Sequence, residues 1–423
     1  MSLVDRLRRM GALRGLVAPE APETTADPET ASGGERSQSL AVTGPDRELL
    51  PRTVTCTNMH GTFLLREADY GLEHVHGTFS LGRFLDCEQR TLEILARNRS
   101  LGNLDLSRAA FLDTETTGLS GGTGTIAFLV GLARLEDGVF RVRQLFVRDF
   151  DEETAMLYQL GLLLEGASCL VTYNGKSFDV PLLVGRYVAN RLRGPDLYGM
   201  PHLDLLHSAR RLWRHEFAEL SLGCLERAML GIERTGDVPG ALIPALYVRY
   251  LTTKRADLME PVLHHNELDV LSLATVLAAG ARACRGEGER PGECYGMART
   301  LDLLRETEEA AAGYRRALER VQEPALERRV RKDLAAVLAR GGRFNESETE
   351  WAVVAEKWQD LDALEALAKA AEHRHRDFAR AVALVKQALA RLHSPLLRSV
   401  ASQGKRRSAF QARLSRLERK LEA

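Results

Sequence analysis

The apolar run Ala109-Ala110-Phe111-Leu112 ends on Asp113-Thr114-Glu115-Thr116-Thr117-Gly118, and this junction restricts the fold more than any other stretch. Consecutive apolar residues read as a buried strand, and side chains two apart in a strand share a face. Asp113 and Glu115 therefore present two carboxylates on one side of a strand end. Carboxylates held this close repel unless a cation lies between them, and an all-oxygen site suits Mg²⁺ or Mn²⁺. The alternative is an acidic strand end that binds nothing. Residues 118–125 (GLSGGTGT) read as a loop, and Ile126-Ala127-Phe128-Leu129-Val130 as a second apolar strand.

From Phe111 to about Gly280 strands and helices alternate. The pattern predicts strands over 110–112, 126–134, 139–148 and 168–173, and helices near 152–165, 179–193, 203–214, 219–230, 242–252 and 256–280. Short loops join the first three strands, as in an antiparallel meander. The fourth follows a helix and would join in parallel by a right-handed crossover. This is an α/β domain, a mixed sheet flanked by helices, spanning about 108–282. A Gly-, Pro- and charge-rich break at 284–291 (CRGEGERP) lies in a linker set at 283–295. Beyond it the chain reads as all-helical. YRRAL at 314, WAVVA at 351 and VKQAL at 385 recur at spacings of 37 and 34. That spacing resembles tetratricopeptide-type helical repeats over 296–395, with generic helical hairpins as the alternative.

The flanks differ in kind. Residues 1–17 place Leu3, Leu7, Met10 and Leu13 at helical spacing among arginines, which reads as a short amphipathic helix or a tail. Residues 18–47 are rich in Pro, Glu, Thr, Ser and Gly and read as a disordered linker. Residues 48–107 read as an N-terminal extension with short strands and a helix, and repeat the phrase HGTF at 60–63 and 76–79. His74 and His76 lie two apart there, without the further ligands a metal site needs. Residues 396–423 read as a basic helix that could touch phosphates, with a solvated terminal helix as the commoner alternative.

Lys+Arg and Asp+Glu both number 58, so overall charge advertises no polyanionic partner and any nucleic-acid surface must be local. The six cysteines show no C-x-x-C or zinc spacing, and no apolar run approaches membrane-spanning length. These features set a reducing cytoplasm and no membrane as the expectation.

Two further stretches bear on chemistry. In 170–183 (LVTYNGKSFDVPLL) a strand ends near Tyr173, a turn follows and a helix starts near Asp179. Asp179 alone reads as a helix N-cap with Pro181 just inside. The phrase Gly175-Lys176-Ser177 mimics a phosphate-binding loop, but the first glycine of that motif would fall on Leu170, which excludes it. In 264–270 (HHNELDV) His265 and Asp269 are four apart on one helical face, suited to a metal ligand beside a general base or to a plain helix pair.

In order, DTETTGLSGGTGT, YNGKSFDVPLL, HLDLLHSARRLW and HHNELDV resemble the DEDD superfamily of 3′–5′ exonucleases, DnaQ-like proteins with a ribonuclease H-like fold. Within it they are most similar to the bacterial YprB-type proteins, and the resemblance covers about 50–280. Asp113 and Glu115 match the first motif, Asp179 the second and Asp269 the third. The superfamily carries either Tyr four residues before the last Asp or His five before it. Here His265 holds the Tyr spacing and His264 the His spacing, and both stand as candidate bases. His265 is favoured because it shares a face with Asp269.

The resemblance implies two divalent ions, Mg²⁺ or Mn²⁺, held by Asp113, Glu115, Asp179 and Asp269. It implies hydrolysis at the 3′ ends of single-stranded DNA or RNA. Thr116, Tyr173, Asn174 and Lys176 are candidate substrate contacts, Asp204 a supporting carboxylate, and the helical repeats a docking place for a protein partner. One competing reading is an inactive ribonuclease H-like domain serving as a nucleic-acid-binding or scaffold protein. The other is a nuclease that cuts internally.

Overall fold

The computed structural model describes residues 41–43, 50–98, 101, 104–118, 124–392 and 402–422. The N-terminal amphipathic segment, most of the expected linker and the tip of the loop after Gly118 lie outside them. The chain divides into two units. One comprises the residues up to Ala209 with Glu219–Ala281; the other comprises Arg210–Ala218 with Arg282 onward.

The first unit is built on strands β1 (Ala41–Thr43), β2 (Thr53–Asn58), β3 (Gly61–Gly71), β6 (Ala109–Thr116), β7 (Ala127–Glu136), β8 (Val139–Phe146), β9 (Cys169–Thr172) and β10 (His202–Asp204). Their order in the sheet is β1-β2-β3-β8-β7-β6-β9-β10. A small hairpin, β4 (Val75–His76) with β5 (Phe79–Ser80), stands apart, and the helix α1 (Gln89–Ala96) follows it in the chain. As expected, β6, β7 and β8 form an antiparallel meander, and β9 joins β6 in parallel after the helix α2 (Glu153–Leu164). Strand β6 thus has an antiparallel neighbour on one side and a parallel one on the other.

Three expectations change. Residues 41–43 form an edge strand inside the stretch read as linker. The N-terminal extension does not merely precede the domain, because β3 runs for 11 residues and pairs along β8 in the same sheet. The helix expected over 203–214 begins as strand β10 and turns helical at α4 (Leu205–Leu212). In all three the fate of the segment is set by a distant pairing partner, which local composition does not report.

Both faces of the sheet are covered. On one, Phe84 of the extension meets Phe111 edge to face at 4.9 Å and Phe140 at a tilt at 5.8 Å. On the other, Tyr247 of the helix α6 (Ile243–Thr253) stacks on Phe128 with centroids 3.8 Å apart. The long helix α7 (Glu260–Cys284) is tied to β3 by Arg66, which pairs with Glu260 and Glu267, and by Tyr70, whose hydroxyl donates to Glu267 at 2.6 Å. The extension therefore helps to position α7.

The second unit is helical. Its hairpins are α8 (Pro291–Leu303) with α9 (Thr307–Arg320), α10 (Pro324–Arg340) with α11 (Phe344–Trp358), and α12 (Leu361–Ala370) with α13 (Phe378–Leu392), followed by α14 (Ser402–Glu422). Tyr314, Trp351 and Val385 occupy the middle of the second helix of each hairpin, which is why their pattern recurs. The expected linker at 283–295 shrinks, because α7 runs to Cys284 and α8 starts at Pro291. Much of the C-terminal basic charge is paired inside this unit. Arg413, Arg416 and Lys420 converge on the buried carboxylate of Glu372, and Arg406 on Asp362. Among the described residues no helix is long and apolar enough to cross a membrane.

Candidate metal centre

Strand β6 delivers Asp113 and Glu115 on one face, as its alternation requires, with a register shift at Glu115/Thr116 where the strand leaves the ladder. Helix α7 crosses that face. The approach depends on Gly131, which pairs with Asp113 from β7; a Cβ there would lie 2.3 Å from Asn266 Oδ1 and 2.8 Å from Val270. In the space this leaves, Asn266 is fully buried, donates from Nδ2 to Asp113 Oδ2 at 2.9 Å and accepts from Gln144 Nε2 at 3.0 Å.

One turn of α7 carries His265 and Asp269 to the same place. Donor atoms of Glu115, His265 and Asp269 lie within 4.8 Å of one another, each side chain 14–16% exposed. His265 Nε2 is 3.9 Å from Glu115 Oε1 and 3.5 Å from Asp269 Oδ2. His264 takes no part in these contacts.

Asp113 and Asp179 stand outside that triad. Asp179 opens α3 (Asp179–Ala189), but its predicted capping role is not what its side chain does. The residue before the helix is Phe178, and the Asp179 carboxylate accepts from the hydroxyl of Thr114 at 2.5 Å. Thr114 points away from Asp113 and Glu115 along β6, so Asp179 is anchored from the opposite face. Its charge nonetheless raises the pKa of both of those acids.

The turn before α3 is held by Asp204 at the end of β10. Its buried carboxylate accepts from the backbone N–H groups of Asn174 (2.9 Å), Lys176 (3.0 Å) and Leu206 (3.1 Å). Asn174 adopts the left-handed conformation, φ 68°. Gly175 lets the turn close on Thr172, whose Oγ1 would sit 2.4 Å from an added Cβ. Of the candidate substrate contacts, Tyr173 donates its hydroxyl to the Leu220 carbonyl and Thr116 to the Gly118 carbonyl, while the Lys176 side chain is exposed.

The sequence reading missed the residues that surround His265. After α5 (Leu222–Leu225) the chain makes a π-helical turn, Glu226–Leu230, and then a loop containing Arg234 and Asp237. Asp237 Oδ1 sits 2.7 Å from His265 Nδ1. A carboxylate only accepts, so Nδ1 carries a proton there, and Nε2 is the nitrogen that faces Glu115 and Asp269. Arg234 Nη1, 3.3 Å from Nδ1, then touches a donor and makes no hydrogen bond there. Arg234 instead bonds Asp269, Asp237 and the buried Glu226. The stretch 233–240 (ERTGDVPG) marks a loop by its Gly and Pro, but nothing local distinguishes its Arg and Asp from solvated loop charges. These side chains line an open groove of about 530 Å³.

Burial dominates the electrostatics. It pushes Asp113 and Glu115 well above the ordinary carboxylate value, and neighbouring carboxylates push further; Asp269 is raised by burial although Arg234 and His265 oppose it. Asp179 is raised to about 6, again chiefly by burial, with the Thr114 hydrogen bond opposing. Asp237 is lowered: burial would raise it, but His265 and Arg234 outweigh that. Carboxylates that resist ionising together are the donor set a divalent cation relieves, so the residues present fit Mg²⁺ or Mn²⁺.

A mixed sheet with paired acids at the end of one strand and a helix crossing them defines a ribonuclease H-like domain, and residues 110–279 match the RNase_H superfamily. Its members are generally nucleases and typically use divalent metals. The chain is also 36% identical over 335 residues to the uncharacterized protein YprB of Bacillus subtilis (strain 168), an alignment covering 77% of this chain and 80% of that one. It belongs to the YprB family.

Proposed function

We propose that this protein is a metal-dependent 3′–5′ exonuclease acting on single-stranded DNA or RNA ends. The observation that carries this reading is the orientation of His265: Nδ1 on Asp237, Nε2 facing Glu115 and Asp269. Asp113, Glu115, Asp179 and Asp269 would hold two divalent ions. When bound, such ions supply a water of lowered pKa and a clamp on the charge of the reacting phosphate. His265 Nε2 accepts the proton of the attacking water; Asp237 fixes the tautomer and stabilises the imidazolium that forms. Asn266 orients Asp113, Thr114 orients Asp179, and Asp204 holds the turn carrying Asn174 and Lys176 near substrate. The helical hairpins, tetratricopeptide-like in spacing, would bind a protein partner.

Purified protein with Mn²⁺ should shorten a 5′-labelled single strand to a ladder, and Asp113→Ala should abolish the ladder. Discrete internal fragments would favour an endonuclease. Full activity in the Asp113 variant would sink the assignment.

A further inference from the structure

Arg234 reaches the acidic site from a loop and binds it in an unequal way. Its Nη2 is shared between Asp269 Oδ1 and Glu226 Oε1, its Nε donates to Glu226 Oε2 at 2.7 Å, and its Nη1 lies 3.2 Å from Asp237 Oδ2. Of these carboxylates, Asp269 belongs to the triad with Glu115 and His265. Glu226 is an anchor. Its side chain is 1% exposed, it accepts from the Ser272 hydroxyl, and Ser272 in turn meets the buried His76 of the small N-terminal hairpin at 2.8 Å. The π-helical turn that begins at Glu226 aims its side chain inward.

Of the four acids, Asp269 is bonded by the Arg234 guanidinium and Asp113 feels its charge, while carboxylates crowd Glu115 on every side. Buried carboxylates this close are costly without a counter-charge, and removing one partner from such a set leaves an uncompensated charge. We propose that Arg234 is the protein's own counter-cation for the metal-free site, and that divalent metal loading is an exchange in which Arg234 releases Asp269. The exchange needs little movement. The fork of the guanidinium stays on Glu226 and Asp237, both outside the triad, while Nη2 gives up one of its two acceptors. Arg234 then remains in the groove as a fixed positive charge beside the site.

This inference rests on the metal-dependent reading above, and a metal titration separates the two. Mn²⁺ affinity is measured by calorimetry without substrate, and melting is followed with and without Mn²⁺. Arg234→Gln should bind Mn²⁺ about tenfold more tightly than the unaltered protein, because a competing charge within contact distance is gone. Its metal-free melting temperature should fall more than the metal-loaded one, because both forms lose the pairing with Glu226 and Asp237 but only the metal-free form also loses the one with Asp269. Arg227→Gln, which removes an exposed cation from the same groove, should leave Mn²⁺ affinity unchanged within about threefold, as expected of a solvated charge. Should Arg234→Gln fold only when metal is present, that dependence supports the exchange. Arg234→Lys, which keeps the charge but loses the fork, then carries the affinity comparison and should bind Mn²⁺ more tightly than the unaltered protein. Equal or weaker Mn²⁺ binding in both Arg234 variants overturns the proposal. Absence of Mn²⁺ binding in the unaltered protein overturns the metal-dependent reading itself.

Discussion

Asn266 and Asp113 lie 153 residues apart in the chain, yet Asn266 Nδ2 donates to Asp113 Oδ2 at 2.9 Å from a fully buried position. The bond fixes which carboxylate oxygen remains for a ligand and opposes the upward push of burial on Asp113. Asn266→Ala should weaken Mn²⁺ binding about tenfold to a hundredfold, the usual cost of losing a partner that orients a metal ligand. Calorimetric titration checks this; unaltered affinity would leave Asn266 a packing residue.

Gly131 makes that bond possible. Gly131→Ala puts a methyl group against Asn266 and Val270, so α7 must back away from β6. The expected result is a loss of about 1–3 kcal/mol in urea unfolding, typical of overpacking, together with weakened Mn²⁺ binding. Lost stability with intact metal affinity would mean that the helix recovers its position.

The raised acids also set a pH dependence with a definite sign. Asp179 titrates near 6 in the folded protein and near 3.8 when unfolded, so between those values the folded state holds a proton that the unfolded chain has released. Metal-free stability should therefore fall as pH rises through that window, with Asp113, Glu115 and Asp269 extending the loss upward. Saturating Mn²⁺ replaces those protons and should flatten the slope. Melting curves from pH 4 to 8, with and without Mn²⁺, test it.

The strand-borne part of this site was legible in sequence, and the loop-borne part was not. Asp113 and Glu115 announce themselves because an apolar strand fixes the direction of each side chain. His265 and Asp269 do so because a helix places residues four apart on one face. The meander follows from short loops, and the parallel β9 from the helix that precedes it. Asp237 and Arg234 had no such frame, since their meaning comes from a π-helical turn and an anchor at Glu226 that appear only when α7 is packed against them. Asp179 taken alone reads as a cap, because nothing local reveals Thr114 across the sheet, and only the resemblance groups it with the other acids. The C-terminal charge reads locally as a solvated or phosphate-touching helix, because Glu372, which gathers three of its cations, lies far away in the chain.

That gathering is itself testable. The Glu372 carboxylate is fully buried and meets Arg413 at 2.9 Å, Arg416 at 2.8 Å and Lys420 at 3.0 Å. Burial alone would raise its pKa, but Arg416, Lys420 and the nearby His373 bring it down to about 2. A lowered carboxylate stabilises above its unfolded value of 4.5 and loses that contribution as pH falls toward 2. Glu372→Gln should cost about 2–3 kcal/mol at neutral pH, less than a fully buried pair because Arg416 and Lys420 are largely solvated. It should also expose α14 to proteolysis. A variant with unchanged urea unfolding and an intact C-terminal helix would contradict this.

The choice between the two adjacent histidines can be decided by paired substitutions. His265 touches Asp237 and faces Glu115 and Asp269, whereas His264 has none of these contacts. His265→Gln should lower kcat by about 10²–10⁴-fold, the range for losing a general base, with little change in KM. His264→Gln should stay within about threefold of the unaltered protein, as a half-exposed helix position away from special contacts allows. Asp237→Asn removes the acceptor that holds the proton on Nδ1. It should reduce kcat about tenfold to a hundredfold and shift the acidic limb of the pH–rate profile downward, because the imidazolium loses its carboxylate partner. Asp237→Glu should restore part of the rate. If His264→Gln proves the more damaging change, the base lies one residue earlier and α7 must rotate in the working enzyme.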